Sequence, residues 1–292
     1  MRKVTAATLA VLTAAGVLAT TERSAKAQEI VLTGPLKGAP PVKKLRMYRQ
    51  GRFEIAPLAA FTLLDEYEHS YMVGARATYY FTDWIGIGIW GGYFFNTNTD
   101  LTSQIDNIAP RDKLTASNVA PCAPGGATTS ASCNGSPSFS DQTAKLTWSI
   151  FAQVTAVPFR GKLALFQALF VDTEAYLFAG AGGVGVDQRA QCGDTGQPAC
   201  TDKASFALSS GAKFAPTFGL GLTFFINDLV NIGVEYRAFP FSWNRGGFDS
   251  RGLGPNGNFP DGKVNGDDET FKFNQVIGIS VGFMLGGRKI SE

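Results

Sequence analysis

His69 stands beside Ser70, with Asp65, Glu66 and Glu68 close by, the residue types from which a hydrolase assembles base, nucleophile and orienting acid. Adjacent residues on a strand point to opposite faces, so this histidine and serine are not expected to meet, and a solvated loop histidine is the preferred reading. A lipid-modifying barrel enzyme is the alternative it leaves open. Cys122 with Cys133 and Cys192 with Cys200 form two local pairs in loops rich in Gly, Pro, Ala and Ser. In an exported chain they read as two loop-closing disulfides, each stabilising its loop by about 3 kcal/mol. Zinc is disfavoured, because the only histidine, His69, is distant in sequence from both pairs. The run Asp261 to Glu269 has the acidic look of a calcium loop, but Lys263 occupies a position where an oxygen ligand belongs, so a solvated turn is expected. No metal and no cofactor is expected from these residues, and no catalysis.

A second set of charges occupies one face of otherwise apolar, alternating segments: Arg52, Glu54, Arg76, Lys213, Glu235, Arg237 and Lys272, with Lys145 and Glu174 on segments of less clean phase. Charges spaced in this way pair with one another inside a narrow barrel, or they line a solute path whose positive excess favours anions. The packed, non-conducting reading is preferred, because eight strands leave little free width.

The elements that must hold these charges are strands. Over Val230 to Phe239, Val230, Ile232, Val234, Tyr236 and Ala238 fall on one face, and Asn231, Gly233, Glu235 and Arg237 on the other. Eight such segments are expected, at about 52–63, 70–81, 84–95, 143–157, 172–186, 211–226, 229–243 and 270–285. Phe159 to Val171 reads as a turn segment lying at the membrane interface. Short connections at Thr82-Asp83, at 159–171 and at Asn227-Asp228 alternate with loops, the long ones at 96–142 and 244–269. The fold expected is all-β: an eight-stranded antiparallel transmembrane β-barrel with long external loops and short periplasmic turns. Tyr79, Phe81, Trp84, Phe224 and Phe225 gather at turn ends, and Tyr93, Phe95, Trp148, Phe241, Trp243 and Phe271 at loop ends, as two aromatic girdles. A soluble sandwich would also alternate, but its wet face would carry many Lys and Glu, whereas here that face is mostly Gly, Ala, Ser and Thr.

Composition agrees with this reading. Charged residues make up 17% of the chain, against about a quarter in soluble proteins, and Gly reaches 34 residues. Arg2 and Lys3 precede an apolar run ending near Ala19, and Ala25-Lys26-Ala27 follows as a small-x-small cleavage site. Residues 1–27 thus read as a secretory signal. Its removal takes four basic residues and Glu22, turning a formal +2 into −1, a balance that suggests no nucleic-acid partner. Residues 28–51, with Pro35, Pro40 and Pro41, read as an extended periplasmic arm kept soluble by Lys37, Lys43, Lys44, Arg46 and Arg49. Residues 52–285 make the barrel and 286–292 a periplasmic tail, placing both termini in the periplasm of a bacterial outer membrane.

The run Gly51-Arg52-Phe53-Glu54, the turn Phe81-Thr82-Asp83-Trp84, the stretch Tyr176 to Gly182, the loop Gly247 to Gly252 and the strand Thr270 to Gln275 occur in an order that resembles the small outer-membrane β-barrel proteins of myxobacteria and relatives. Some barrels of that kind belong to an envelope-spanning gliding-motility apparatus, so the resemblance implies a scaffold role and assigns no site residues. The function expected is a monomeric outer-membrane barrel with a charge-paired, largely closed lumen. It would touch membrane lipid, and a periplasmic envelope protein through residues 28–50. The alternative is a narrow porin-like channel with weak anion preference.

Overall fold

In the computed structural model, residues 49–108, 139–165, 169–200, 203–254, 257 and 261–286 are described. The expected signal segment, most of the arm, Cys122, Cys133 and the tail beyond Gly286 lie outside the described residues. Eight strands follow one another in chain order: β1 (Phe53–Leu63), β2 (Glu68–Tyr80), β3 (Ile85–Asn98), β4 (Lys145–Leu165), β5 (Leu169–Arg189), β6 (Leu208–Phe225), β7 (Val230–Trp243) and β8 (Thr270–Leu285). Two short helices, α1 (Asp100–Ile108) and α2 (Phe139–Gln142), belong to the β3–β4 connection. Each strand pairs antiparallel with its neighbours, and β8 pairs with β1, so the sheet closes into a barrel. No described helix is long and apolar enough to cross a membrane.

Alternation alone builds the two faces. Along β1 every second residue from Glu54 to Ala60 is buried while Phe53, Ile55 and Phe61 are exposed, and β2 and β8 repeat the pattern. Apolar side chains that would fill a soluble core point outward instead: Tyr71, Val73, Ile87, Ile89, Ile150, Val154, Leu177, Leu220, Ile279 and Val281 are all exposed. A surface so continuously apolar is one that hydrocarbon, not water, covers.

Three expectations are corrected. The segment from Phe159 to Val171 is no interfacial turn: β4 and β5 run as 21-residue strands paired from Lys145↔Asp187 to Leu165↔Leu169, with a register shift between Ala156 and Phe159. Phe225, Phe241 and Trp243 leave the girdle, being buried at 6%, 5% and 3% exposure. Counting in twos along β6 and β7 already puts all three on the interior face, and that periodicity overrides the tendency of aromatics to gather at the interface. Leu146, whose alternation with Thr147 puts it on the outward face with Trp148, Ile150 and Val154, also turns inward, because a second register shift lies between Leu146 and Trp148. Of the other girdle residues, Tyr79, Phe81, Trp84, Tyr93, Phe95 and Phe271 are exposed, and Trp148 and Phe224 are half-buried.

Candidate functional site

The interior divides into two layers. On the loop side it is apolar, with Met72, Trp90, Phe94, Leu146, Phe151, Val184, Val186, Phe239, Phe241, Trp243 and Val276 in one buried cluster. Rings line up within it: Trp90 meets Phe151 at 5.8 Å, Phe151 meets Phe239 at 5.7 Å, and Phe239, Phe241 and Trp243 follow along one side of β7 at 6.3 and 5.4 Å. On the turn side it is ionic.

The ionic layer grows from inward positions of β1, β2, β5 and β7. Arg76 bridges two carboxylates, holding Glu235 Oε2 at 2.7 Å and Glu54 Oε1 at 3.1 Å, and it also donates to the Tyr176 hydroxyl. Tyr176 donates in turn to Glu235 Oε2 at 2.9 Å, and Tyr80 donates to Glu54 Oε2 at 2.8 Å. Arg237 takes the other oxygen of Glu235 with Nε at 3.0 Å and Nη2 at 2.8 Å, and reaches Gln153 Oε1 at 2.6 Å and Thr217 Oγ1 at 3.0 Å. Its guanidinium lies 4.1 Å from the ring centres of both Trp90 and Phe178, a cation between two aromatic faces at the boundary of the layers. The inward glycines Gly219 and Gly221 of β6 leave room for the Phe178 and Tyr176 rings, because a side chain at either would collide with them. Charges taken out of water are tolerated only when paired and hydrogen-bonded, which explains why each carboxylate here touches a guanidinium.

One member comes from the chain before β1. Arg49, expected as a solvating charge of the arm, is instead 1% exposed. It ion-pairs with Glu174, lies 3.6 Å from Glu54, donates to the Tyr80 hydroxyl and sits 4.5 Å over the Tyr80 ring. Its backbone N–H donates to Asp83 Oδ1 at 2.9 Å in the β2–β3 turn. Arg160 holds Glu174 from the other side at 3.3 Å. The turn-side mouth is thereby stoppered by a residue that no alternating pattern could mark, since it precedes the first strand.

Of the seven charges expected inside, Glu54, Arg76, Glu235 and Arg237 are brought together, and Arg52, Lys213 and Lys272 are not. Arg52 lies at the turn-side rim, donating to the carbonyls of Asp228, Met284 and Gly286 at 2.7, 3.1 and 3.0 Å. Lys213 and Lys272 stand at the loop-side mouth, partly exposed, against Glu269 at 2.5 Å and Glu66 at 3.4 Å. Near the ends of strands a long cationic side chain reaches water at little cost, so a correct inward phase does not bury it. The positive excess expected of the lumen therefore shrinks to a single charge, all of it engaged: Arg49, Arg76, Arg160 and Arg237 face Glu54, Glu174 and Glu235 in direct pairs. Lys145 stands near the loop-side mouth, 3.9 Å from Glu68. Between the layers, beside Leu58, Trp90, Glu235 and Ser280, a cavity of about 10 Å³ is at the lower limit for one water.

The loop side is ordered by its own polar anchors. Arg189, at the end of β5, donates to Ser205 O, Gly247 O, Gln142 Oε1 and Cys200 O at 3.1, 3.0, 3.1 and 2.8 Å, tying three connections together. Cys192 and Cys200 are joined, with Cα atoms 5.0 Å apart, and Cys192 pairs through its backbone with Val264. Asp268 accepts from the backbones of Ser250, Arg251 and Asn265 at 2.7, 2.9 and 2.9 Å. Burial holds the Asp65 carboxyl above the usual carboxylate range, against the opposing pull of the Thr62 hydroxyl and the Arg245 guanidinium. His69 is exposed, while Ser70 is buried and donates to Asn96 Oδ1 at 2.6 Å. Among the described residues no three His, Cys, Asp or Glu side chains cluster so as to hold a metal.

The sequence matches no family model and no curated protein. The fold is similar to solved structures at low identity. The N-terminal β-barrel domain of Pseudomonas aeruginosa OprF is 9% identical, with 81% of this chain and 98% of that one covered and a TM-score of 0.39. Neisserial surface protein A is 10% identical over 83% and 99%, with a TM-score of 0.37. Ail, the attachment invasion locus protein of Yersinia pestis, is 12% identical over 81% and 99%, with a TM-score of 0.31. Likeness of this degree adds nothing to the eight-strand topology already described.

Proposed function

We propose that the chain is a bacterial outer-membrane barrel with a closed lumen, and that it works as an envelope anchor or scaffold and not as a pore or an enzyme. The observation that carries this is the ion-paired layer from Arg49 to Arg237 across the interior, set within a barrel whose outer face is apolar all round. A conducting path needs water-filled width, and the cavity beside this layer is of the size of one water. The tied loops offer a preorganised surface on one side. On the other, Arg49 fixes the root of the basic arm to the barrel, so a load applied to residues 28–48 by a periplasmic partner is passed to the membrane-embedded sheet. The order of motifs resembling the myxobacterial barrels supports the same role. In this reading both termini face the periplasm, the barrel is monomeric, and no catalytic group is assigned, His69 and Ser70 standing on opposite faces.

Recording in a planar bilayer tests the closed lumen. The wild-type chain should give no steady conductance. Steady currents that disappear on mutating Arg76 or Arg237 would overturn the reading in favour of a channel. Crosslinking from Lys43 or Lys44 in intact envelopes tests the arm, and recovery of no envelope protein would remove the scaffold role.

A further inference from the structure

The sheet is not zipped evenly. β5 and β6 pair from Asp172↔Phe225 to Arg189↔Leu208, and β7 and β8 pair from Val230↔Phe283 to Trp243↔Thr270. Between β6 and β7 the ladder starts at Phe225↔Asn231 and stops at Phe218↔Ala238, although both strands continue toward the loops. Extending that register by two residues brings Pro216 opposite Pro240. Ile226 donates to the Val230 carbonyl at 3.0 Å, and hydrogen-bonded rungs recur at every second residue, so Pro216 and Pro240 fall on such a rung. Neither has an N–H, and the rung loses both of its bonds. At about 3.3 Å per residue and a tilt near 45°, Pro216 stands roughly 20 Å above the turn after Phe225, inside an apolar band about 25 Å tall.

The gap is apolar on both sides. Outside it stand Phe214, 75% exposed, and the rings of Phe218 and Phe273, which meet at 5.8 Å. Directly behind it lie Phe239, Phe241 and Trp243. Its lower end is pinned by side chains: Arg237 donates to Thr217 Oγ1, and Thr217 donates to the Ala238 carbonyl at 3.1 Å. Below that pin the charged layer begins.

We propose that this seam is a docking site for a hydrocarbon chain of the surrounding lipid, entering between β6 and β7 from the loop-side leaflet and resting on Phe239, Phe241 and Trp243. The inference depends on the membrane reading above. A strand of another protein is a poor occupant, because proline on both edges denies it the donors that strand addition uses. A polar ligand finds the seam lined by Phe239, Phe241 and Trp243, and the nearest charges above Arg237, Lys213 and Lys272 at the mouth, already paired with Glu269 and Glu66. Entry requires the Phe218 and Phe273 rings to part, and along this stretch no rung has to break. The stop is Arg237, where hydrocarbon would meet an ion pair.

Tryptophan quenching by brominated acyl chains tests this, because two tryptophans lie inside, Trp90 and Trp243, and two face outward, Trp84 and Trp148. A variant with Trp84→Phe and Trp148→Phe, in vesicles of phosphatidylcholine brominated in its acyl chains, should lose emission relative to vesicles of the ordinary lipid. The same variant carrying Pro216→Val and Pro240→Val, which restores the rung, should lose much less. Either single proline replacement serves if the double one does not insert. The complementary variant, Trp90→Phe with Trp243→Phe, reports on membrane contact alone. Quenching of the outer pair without the inner pair overturns the seam and leaves the membrane reading intact, as does inner quenching that the proline replacements do not change. Absence of quenching in both pairs overturns the membrane reading, and the seam with it.

Discussion

The two layers of the interior solve the same packing problem with opposite chemistry. On the loop side Trp90, Phe151, Phe239, Phe241 and Trp243 fill the barrel with rings, and on the turn side Arg49, Glu54, Arg76, Glu174, Glu235 and Arg237 fill it with paired charges. Rings tolerate imperfect neighbours: a missing atom leaves a void whose effect grows with its volume. Charges do not, because removing one partner strands the other in a medium of low dielectric. The ionic layer is therefore the less forgiving seal of the two. Arg237, lying between Trp90 and Phe178 while bonded to Glu235, belongs to both.

The contrast is broken most severely at its centre. Glu235→Ala leaves Arg76 and Arg237 each short of a carboxylate, and unfolding in urea from detergent micelles should show a loss of about 5 kcal/mol. In the ring layer, Phe239→Ala should cost about 3 kcal/mol by the same measurement, without opening a conductance in a planar bilayer, because the charged seal below it is untouched. Outside both layers, Cys192→Ala with Cys200→Ala should cost about 2–3 kcal/mol of loop stability, read as faster proteolysis of residues 190–207. The smallest effect sharpens the comparison: Lys272→Ala at the mouth, where the pair with Glu66 is half exposed, should cost less than about 1 kcal/mol and vanish in high salt. A Glu235→Ala loss no larger than that of Lys272→Ala would erase the distinction between sealed and solvated charge.

Alternation identified Glu54, Arg76, Glu235 and Arg237 as inward before any geometry was known, because a strand shows its two faces in its period. It went astray where a second rule was allowed to displace it. Phe225, Phe241 and Trp243 hold interior positions by the count and were expected in the girdle because they are aromatic and near strand ends. Lys213 and Lys272 have the inward phase but not the depth, and depth depends on where each strand sits in the membrane. Leu146 followed a register shift that no periodicity signals.

The sequence by itself determined that eight two-faced strands would close on one another and, away from the register shifts of β4, which residues each would turn inward, since side-chain direction along a regular strand is a local property. Only the tertiary structure decided what those residues meet. Glu54 finds Arg76 diagonally across the β1–β2 ladder, two residues from its own partner Thr78, but Glu235 reaches Arg76 across the barrel, 159 positions away in the chain. Arg49 enters the lumen although it belongs to no strand, and Pro216 opposes Pro240 only through the register of two neighbours. Such meetings are set by the stagger of the closed sheet, a property of all eight strands together that no single segment encodes.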